Sequence, residues 1–171
     1  RLGHALASSA RDGRHGAILF IDLDHFKTLN DTRGHATGDR LLTDVAQRLL
    51  ACMREGDTVA RFGGDEFVII VEDITDVRGA TAAAERILGE FRVPFDLDGL
   101  EVFASVSIGI AVWKASYERP DDLLRDSDTA MYRAKANGRN TCVVCDEDMQ
   151  ARVVDTLRLE TDLRRAIARN E

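Results

Sequence analysis

The stretch RFGGDEFVIIV, residues 61–71, sets the expected fold, because it predicts a hairpin with acidic residues at its turn. Gly63 and Gly64 can adopt the positive φ angles that a tight turn requires. The apolar run after the turn has the composition of a buried strand. Asp65 and Glu66 would begin that strand at the rim of a sheet. An ordinary hairpin explains the glycines, but it explains the two adjacent acids poorly.

Apolar periodicity on both sides of this hairpin predicts alternating strands and helices. The segment over 30–39 is expected to be irregular. The remaining predicted elements are a buried strand AILFIDL over 17–23, helices over 41–53 and 80–91, a long strand over 101–113, a helix from Pro120 to a cap at Gly138, and a closing strand TCVVC. The expected fold class is therefore α/β, with helices packed on a mixed sheet.

Composition excludes several classes of protein. The 171 residues carry a formal net charge of −7, whereas a nucleic-acid or anionic-membrane binder needs a dominant basic surface. The longest apolar runs, such as FVIIV, are far shorter than the roughly 20 residues of a membrane span. Three cysteines cannot all pair, and Cys142 and Cys145 are expected to be reduced thiols on opposite faces of a strand.

The stretch FIDLDHFK, residues 20–27, carries two acids near the end of the first predicted strand. Charges at the end of so apolar a strand need a partner, and Mg²⁺ prefers carboxylate, carbonyl and phosphate oxygens. Lys27 follows within a turn and could meet a phosphate. The alternative is that Asp22 or Asp24 caps the next helix. An EF-hand is excluded, because His25 and Phe26 interrupt its DxDxDG pattern.

Two further pairs of side chains suit a guanine nucleotide. The Asp39 carboxylate can accept hydrogen bonds from guanine N1–H and N2–H₂ together, and the Asn30 amide can both donate and accept. The cations Lys135 and Arg139 are four residues apart at a helix end, which suits a polyphosphate. The alternatives are turn and helix capping for the first pair and compensation of a helix C-terminus for the second. No GxxxxGK[ST] motif is present, so a P-loop is excluded.

Taken together, the segments FIDLDHFKTLND, GHATGD, RFGGDEF, SVSIGIA and AMYRAKANGRN resemble the GGDEF family of diguanylate cyclases in order and spacing. The resemblance implies a fold like that of nucleotidyl cyclases and polymerase palms, with an antiparallel-cored sheet surrounded by helices. It implies that two GTP molecules condense to cyclic di-GMP and two pyrophosphates. Each domain would bind one GTP, so the active unit would be a homodimer of facing domains.

The resemblance also implies roles for individual residues. Asp22 and Asp65 match the family's metal-binding acids, with the Leu23 carbonyl as a further ligand of Mg²⁺ or Mn²⁺. Glu66 matches the second signature acid and, with Asp65, is assigned to catalysis. The residues assigned to the substrate are the guanine-binding pair Asn30 and Asp39, the triphosphate contacts Lys27, Lys135 and Arg139, and the neighbouring His25 and Phe26.

The segment REGD, residues 54–57, lies upstream of the hairpin at the spacing of the family's inhibitory product site. An Arg54 guanidinium can stack on guanine and grip phosphate, and Asp57 can accept from a base edge. Arg86 is a further candidate for this cyclic di-GMP site. The alternative is a salt bridge within a loop.

The two ends of the chain predict a longer parent protein. The family's usual DxLTxLPNR segment is missing at the start, so the expected domain over 1–148 has an incomplete N-terminal segment. Residues 149–171 resemble the linker helix that leads into an EAL phosphodiesterase domain. Two alternatives to a cyclase remain: a regulatory module that binds GTP or cyclic di-GMP and controls such a domain, and another palm-type cyclase or polymerase. A cytoplasmic location, without contacts to membrane or nucleic acid, is expected.

Overall fold

The computed structural model of the chain describes residues 2, 3, 5, 15–113, 117 and 119–145. The predicted linker helix over 149–171 lies outside this range. The elements, in chain order, are β1 (His15–Leu23), α1 (Phe26–Arg33), α2 (His35–Cys52), β2 (Thr58–Gly63), β3 (Glu66–Ile74), α3 (Val77–Glu90), β4 (Phe95–Leu97), β5 (Leu100–Val102), β6 (Val106–Val112), α4 (Pro120–Ala136) and β7 (Thr141–Val144).

Five strands form one sheet in the order β2-β3-β1-β6-β7. The pairs β2–β3, β3–β1 and β1–β6 are antiparallel, and β6–β7 is parallel. This arrangement confirms the predicted α/β class with an antiparallel-cored sheet. Strand β1 lies in the middle and is buried on both faces, which explains its nearly continuous apolar sequence. The strand therefore carries Asp22, and Asp24 just after its end, into the interior of the domain.

Helices cover both faces of the sheet. Residues of α2 and α3 pack with one set of strand side chains, and α4 packs on the other face. Gly109 of β6 allows α4 to approach, because a Cβ atom at Gly109 would collide with main-chain atoms of Ser127 and Met131. The close fit of α4 on β6 and β1 determines where the C-terminal end of this helix meets the sheet.

Several of the expected boundaries were wrong. Residues 30–39 are almost entirely helical and are broken only at Gly34, whose φ is +85°. The expected strand over 101–113 is interrupted at residues 103–105. Its first part, β5, pairs with β4 in a separate hairpin that turns at Asp98-Gly99, where both φ angles are positive. Asp-Gly is a strong hairpin signal that the sequence interpretation did not use.

The signature hairpin also turns one residue later than expected. Gly63 still belongs to β2, and the turn residues are Gly64 and Asp65, so only Glu66 begins β3. Gly64 has a φ of +43°, and its carbonyl accepts two hydrogen bonds from the Arg61 guanidinium, at 2.9 and 2.7 Å. Arg61 thus stabilises the turn that presents Asp65.

Other expectations about local structure were confirmed, except that α2 and α3 begin six and three residues earlier than expected and Cys145 lies just after β7. Helix α4 begins at Pro120, and Gly138 follows its end with a φ of +107°. Cys142 lies in β7, and none of Cys52, Cys142 and Cys145, all within the described ranges, forms a disulfide. No helix within the described ranges is long and apolar enough to cross a bilayer.

Candidate active site

Three acidic residues lie near one another where β1 ends beside the β2–β3 turn. Asp22 and Glu66 are direct partners in the antiparallel ladder of β1 and β3, which puts their Cβ atoms about 5 Å apart on one face. Asp65 lies in the adjoining turn, and its carbonyl accepts a 3.2 Å hydrogen bond from the Leu23 amide. The structure therefore brings together the metal and catalytic residues named from the sequence: Asp22, Leu23, Asp65 and Glu66.

Burial and mutual repulsion raise the pKa values of Asp22 and Glu66. The pKa of Asp22 is raised chiefly by burial, with further contributions from Asp65 and Asp24, and is lowered by its bond to Lys135. The pKa of Glu66 is raised by burial first and then by Asp22, Asp128 and Asp65. Closely spaced carboxylates with raised pKa values form a site that gains stability from a bound cation.

A lysine side chain from α4 forms an ion pair with the Asp22 carboxylate. Lys135 Nζ lies 2.7 Å from Asp22 Oδ2, and the Asp22 side chain is only 9% exposed. Asp128 lies two turns before Lys135 on α4, and its own pKa is raised by burial. The sequence interpretation did not single out Asp128, although its seven-residue spacing from Lys135 on a helix is a usable signal.

Asp24 has surroundings quite different from those of Asp22. Both of its carboxylate oxygens accept hydrogen bonds from protein groups: Ser107 Oγ at 2.7 Å, Ser105 Oγ at 2.7 Å and the Asn140 amide at 3.1 Å. Asp24 does not cap α1, because the capping residue of that helix is His25. The Asp24 carboxylate is therefore satisfied by the protein itself, and the sequence interpretation found none of these three donors.

The guanine-binding candidates lie on two successive helices. Asn30 belongs to α1 and Asp39 to the first turns of α2, not to a loop as expected. Asn30 Oδ1 is buried, has no hydrogen-bond partner and points at Gly38, where any side chain would collide with it. A buried acceptor without a partner is costly unless a ligand supplies the donor.

The remaining substrate candidates surround the end of β1. His25 adopts a left-handed φ of +59°, Lys27 is exposed, and Phe26 is half-buried. Arg139 is not on the helix with Lys135, as the four-residue spacing suggested. It follows Gly138 with a φ of +64°, and its Nε lies 4.0 Å from Asp24 Oδ1. The two cations thus converge on neighbouring acids because the chain turns sharply after α4.

A cleft of about 280 Å³ borders this site on α1. Its lining includes Asp24, His25 and Phe26 but neither Asn30 nor Asp39. Among the described residues, no three His, Cys, Asp or Glu side chains lie close enough together to form a complete metal site. Any cation at Asp22 and Asp65 would therefore need ligands from the main chain, from water or from a substrate.

The RxxD segment forms a compact loop between α2 and β2. Asp57 Oδ2 accepts a 3.0 Å hydrogen bond from the Arg54 amide, so the expected alternative of a salt bridge is replaced by a main-chain contact. The Arg86 guanidinium donates to the Cys52 carbonyl at 2.7 Å, at the end of α2 just before this loop. The three candidates for product binding therefore lie in one region, away from Asp22.

Comparison with known proteins gives a consistent result. A family profile described as "Diguanylate cyclase, GGDEF domain" matches residues 1–141. The chain is 41% identical over its whole length to a bifunctional diguanylate cyclase/cyclic di-GMP phosphodiesterase, MucR of Pseudomonas aeruginosa, and covers 25% of that protein. It is 38% identical to the cyclic di-GMP phosphodiesterase PdeR of Escherichia coli, over 94% of this chain and 24% of PdeR. The chain thus spans about a quarter of the length of these curated relatives.

Solved structures agree with the profile. The GGDEF domain of PA1120 (YfiN or TpbB) from Pseudomonas aeruginosa matches with a TM-score of 0.83 and 39% identity, covering 85% of this chain and 91% of that one. The GGDEF domain of DgcB from Caulobacter crescentus, solved in complex with c-di-GMP, matches with a TM-score of 0.78 and 28% identity, covering 84% and 85% of the two chains.

Proposed function

The chain belongs to the GGDEF family of diguanylate cyclase domains, and from this membership we propose that it condenses two GTP molecules into cyclic di-GMP and two pyrophosphates. The observation that carries this proposal is the group formed by Asp22, Asp65 and Glu66, which lies beside Lys135, so that all four of these motif residues are present in one place. The 3′-hydroxyl of one GTP would attack the α-phosphorus of the other, and pyrophosphate would leave.

We propose that a divalent cation, Mg²⁺ or Mn²⁺, is bound by Asp22, Asp65 and the Leu23 carbonyl. Two carboxylates and a carbonyl suit Mg²⁺, which usually keeps waters and substrate phosphates as its other ligands. The ammonium group of Lys135 on Asp22 is consistent with a demand for positive charge at this point. When bound, the cation would lower the pKa of the attacking hydroxyl and neutralise the leaving pyrophosphate.

The protein's own residues would orient the nucleotide around this centre. We propose that Asn30 and Asp39 hold guanine, and the buried, unpartnered Asn30 Oδ1 supports a donor from the base at that position. Lys27, Lys135 and Arg139 would contact the triphosphate, together with His25 and Phe26 at the end of β1. Glu66 would assist metal binding or deprotonation of the 3′-hydroxyl.

Each domain contributes one such half-site, so the proposed active unit is a homodimer with two GTP molecules facing each other. We further propose that cyclic di-GMP inhibits the enzyme by binding at Arg54, Asp57 and Arg86. The grouping of these residues around one loop supports this assignment. The DgcB relative in complex with c-di-GMP also supports it.

A second candidate function is a regulatory module that holds GTP or cyclic di-GMP and controls an attached EAL domain. The similarity to PdeR, a cyclic di-GMP phosphodiesterase, favours this alternative. In either case we propose residues 1–148 as the GGDEF domain and 149–171 as a linker toward that domain, in a protein located in the cytoplasm. The bifunctional name of MucR is consistent with such a parent.

The variant Asp65→Asn tests the proposed chemistry. Loss of this carboxylate should abolish conversion of GTP in the presence of Mg²⁺, while the thermal unfolding midpoint stays near that of the wild type, because Asp65 lies in a turn. Asp121→Asn is the matched control, since it removes an exposed Asp at the opposite end of α4, with its side chain 77% exposed. Conversion of GTP by Asp65→Asn at the wild-type rate would refute the metal assignment.

A further inference from the structure

The carboxylate of Asp24 is completely buried, yet none of the roles proposed above uses it. A buried carboxylate is retained at a cost unless its oxygens accept strong hydrogen bonds. Its donors come from two other parts of the chain: Ser105 and Ser107 near the start of β6, and Asn140 just before β7. Asp24 thus joins the end of β1 to the loop between α4 and β7.

This α4–β7 loop, residues 137–140, has an unusual main-chain conformation. Gly138, Arg139 and Asn140 have consecutive positive φ angles of +107°, +64° and +47°. Residues with a side chain rarely adopt this region, so the conformation persists only where neighbouring contacts impose it.

Contacts on both sides of Arg139 impose this conformation. The Arg139 amide donates to the Ala134 carbonyl of α4 at 3.1 Å. The next amide, that of Asn140, donates to the Asp24 carboxylate at 3.1 Å. The Arg139 guanidinium also lies beside the same carboxylate, with Nε 4.0 Å from Asp24 Oδ1. The direction of the Arg139 side chain therefore depends on Asp24 through the main chain as well as through charge.

We propose that Asp24 is a positioning residue, whose carboxylate holds the α4–β7 loop so that Arg139 faces the triphosphate of the bound nucleotide. This role rests on the proposed function, in which Arg139 contacts the triphosphate. The proposal gives Asp24 itself no contact with metal or nucleotide, because its carboxylate is completely buried and both of its oxygens already accept hydrogen bonds from protein donors.

A purely electrostatic role would have the opposite sign. The negative charge of Asp24 repels a triphosphate, so removing that charge without changing the loop would tighten nucleotide binding. Removing the anchor of the loop would instead weaken binding of the triphosphate. Asp24→Asn keeps the shape of the side chain, loses its charge and replaces one acceptor with a donor, so the direction of its effect separates the two roles.

The test measures the affinity of the 171-residue chain for 3′-deoxy-GTP, which lacks the attacking hydroxyl, and for GMP, both at fixed Mg²⁺ concentration. Asp24→Asn should weaken binding of the triphosphate about tenfold and leave GMP binding nearly unchanged. In an Arg139→Ala background the same substitution should have less than about a twofold effect, because Arg139 mediates it. Asp121→Asn is again the matched control and should bind both nucleotides as the wild type does.

Unchanged or tighter binding of 3′-deoxy-GTP by Asp24→Asn would overturn the positioning role, as would an equal loss for both nucleotides. A wild-type chain that binds no 3′-deoxy-GTP at all would instead refute the proposed function.

If Asp24→Asn does not fold, the variants Ser105→Ala and Ser105→Thr test the same positioning role. The alanine variant should weaken binding of 3′-deoxy-GTP but not GMP, and the threonine variant, which keeps the hydroxyl donor, should restore it; equal affinities in both variants would contradict the role.

Discussion

At the scale of single residues, the candidate site contains two acids, Asp22 and Glu66, whose ionised forms are less favourable in the folded protein than in the unfolded chain. Asp22 and Glu66 are direct neighbours across two strands, and both have raised pKa values. A carboxyl group with a raised pKa contributes stability below its ordinary pKa and loses that contribution as the pH rises through the raised value. Without a cation, the site therefore opposes folding at neutral pH.

Glu66→Gln should reveal this cost. We expect the variant to be slightly more stable than the wild type at pH 7, with a higher unfolding temperature. The gain in the free energy of unfolding should be about 0.5 kcal/mol or less, because solvent screens the half-buried side chain. Near pH 4, where Glu66 is largely protonated, the difference should vanish. Thermal unfolding with a chelator at both pH values checks this, and a variant that is less stable at pH 7 would contradict the assigned repulsion.

The same residues indicate what a sequence can predict about a site. Asp22 and Glu66 could be matched from the sequence, because a buried strand and a hairpin each bring an acid to the same end of a sheet. The donors to Asp24 could not, since they lie 81, 83 and 116 residues away along the chain. Their contact with Asp24 depends on the order of β1, β6 and β7 in the sheet, which local periodicity does not encode.

At the scale of elements, α4 links the core to the candidate site. The helix crosses the sheet at Gly109, and its last turns bring Lys135 to Asp22. The sequence predicted the start of this helix at Pro120 and its end to within two residues, because Pro120 and Gly138 are strong boundary signals. It did not predict α1, whose polar residues resemble a loop, or the β4–β5 hairpin, whose strands are too short to give a periodic pattern.

Gly109→Ala tests the close packing of α4. The added methyl group would collide with main-chain atoms of Ser127 and Met131. A change of side-chain rotamer cannot relieve this collision, because the atoms involved belong to the main chain. We expect the free energy of unfolding to fall by about 2 kcal/mol, and GTP conversion to fall in the protein that remains folded, because Lys135 is displaced. Urea unfolding measures the first effect; Gly89→Ala, where a methyl group meets no atom within 4 Å, serves as the control. Equal stability of the two variants would mean that α4 does not depend on this contact.

At the scale of the whole molecule, the chain corresponds to one part of the relatives that it matches. It spans about a quarter of the curated relatives it matches, and their names include both synthesis and hydrolysis of cyclic di-GMP. The sequence revealed the family through long motifs in a fixed order.

Product inhibition belongs to this scale, because it would couple the output of the domain to a loop remote from Asp22. We expect the wild-type chain to bind cyclic di-GMP and Arg54→Ala to bind it at least about tenfold more weakly, since a guanidinium–phosphate contact is lost. Isothermal titration calorimetry measures both, and Arg92→Ala, which removes an exposed arginine after α3, is the control. No binding by the wild type, or unchanged binding by Arg54→Ala, would refute the inhibitory site.

The central claim is that this domain makes cyclic di-GMP from GTP. The most direct measurement is the product formed from GTP and Mg²⁺, quantified by mass spectrometry for this chain and for the proposed longer parent protein. We predict cyclic di-GMP and pyrophosphate in a ratio of one to two, with neither product formed by the Asp65→Asn variants. GTP that is bound but left unconverted by both proteins would contradict the cyclase assignment and favour the regulatory module.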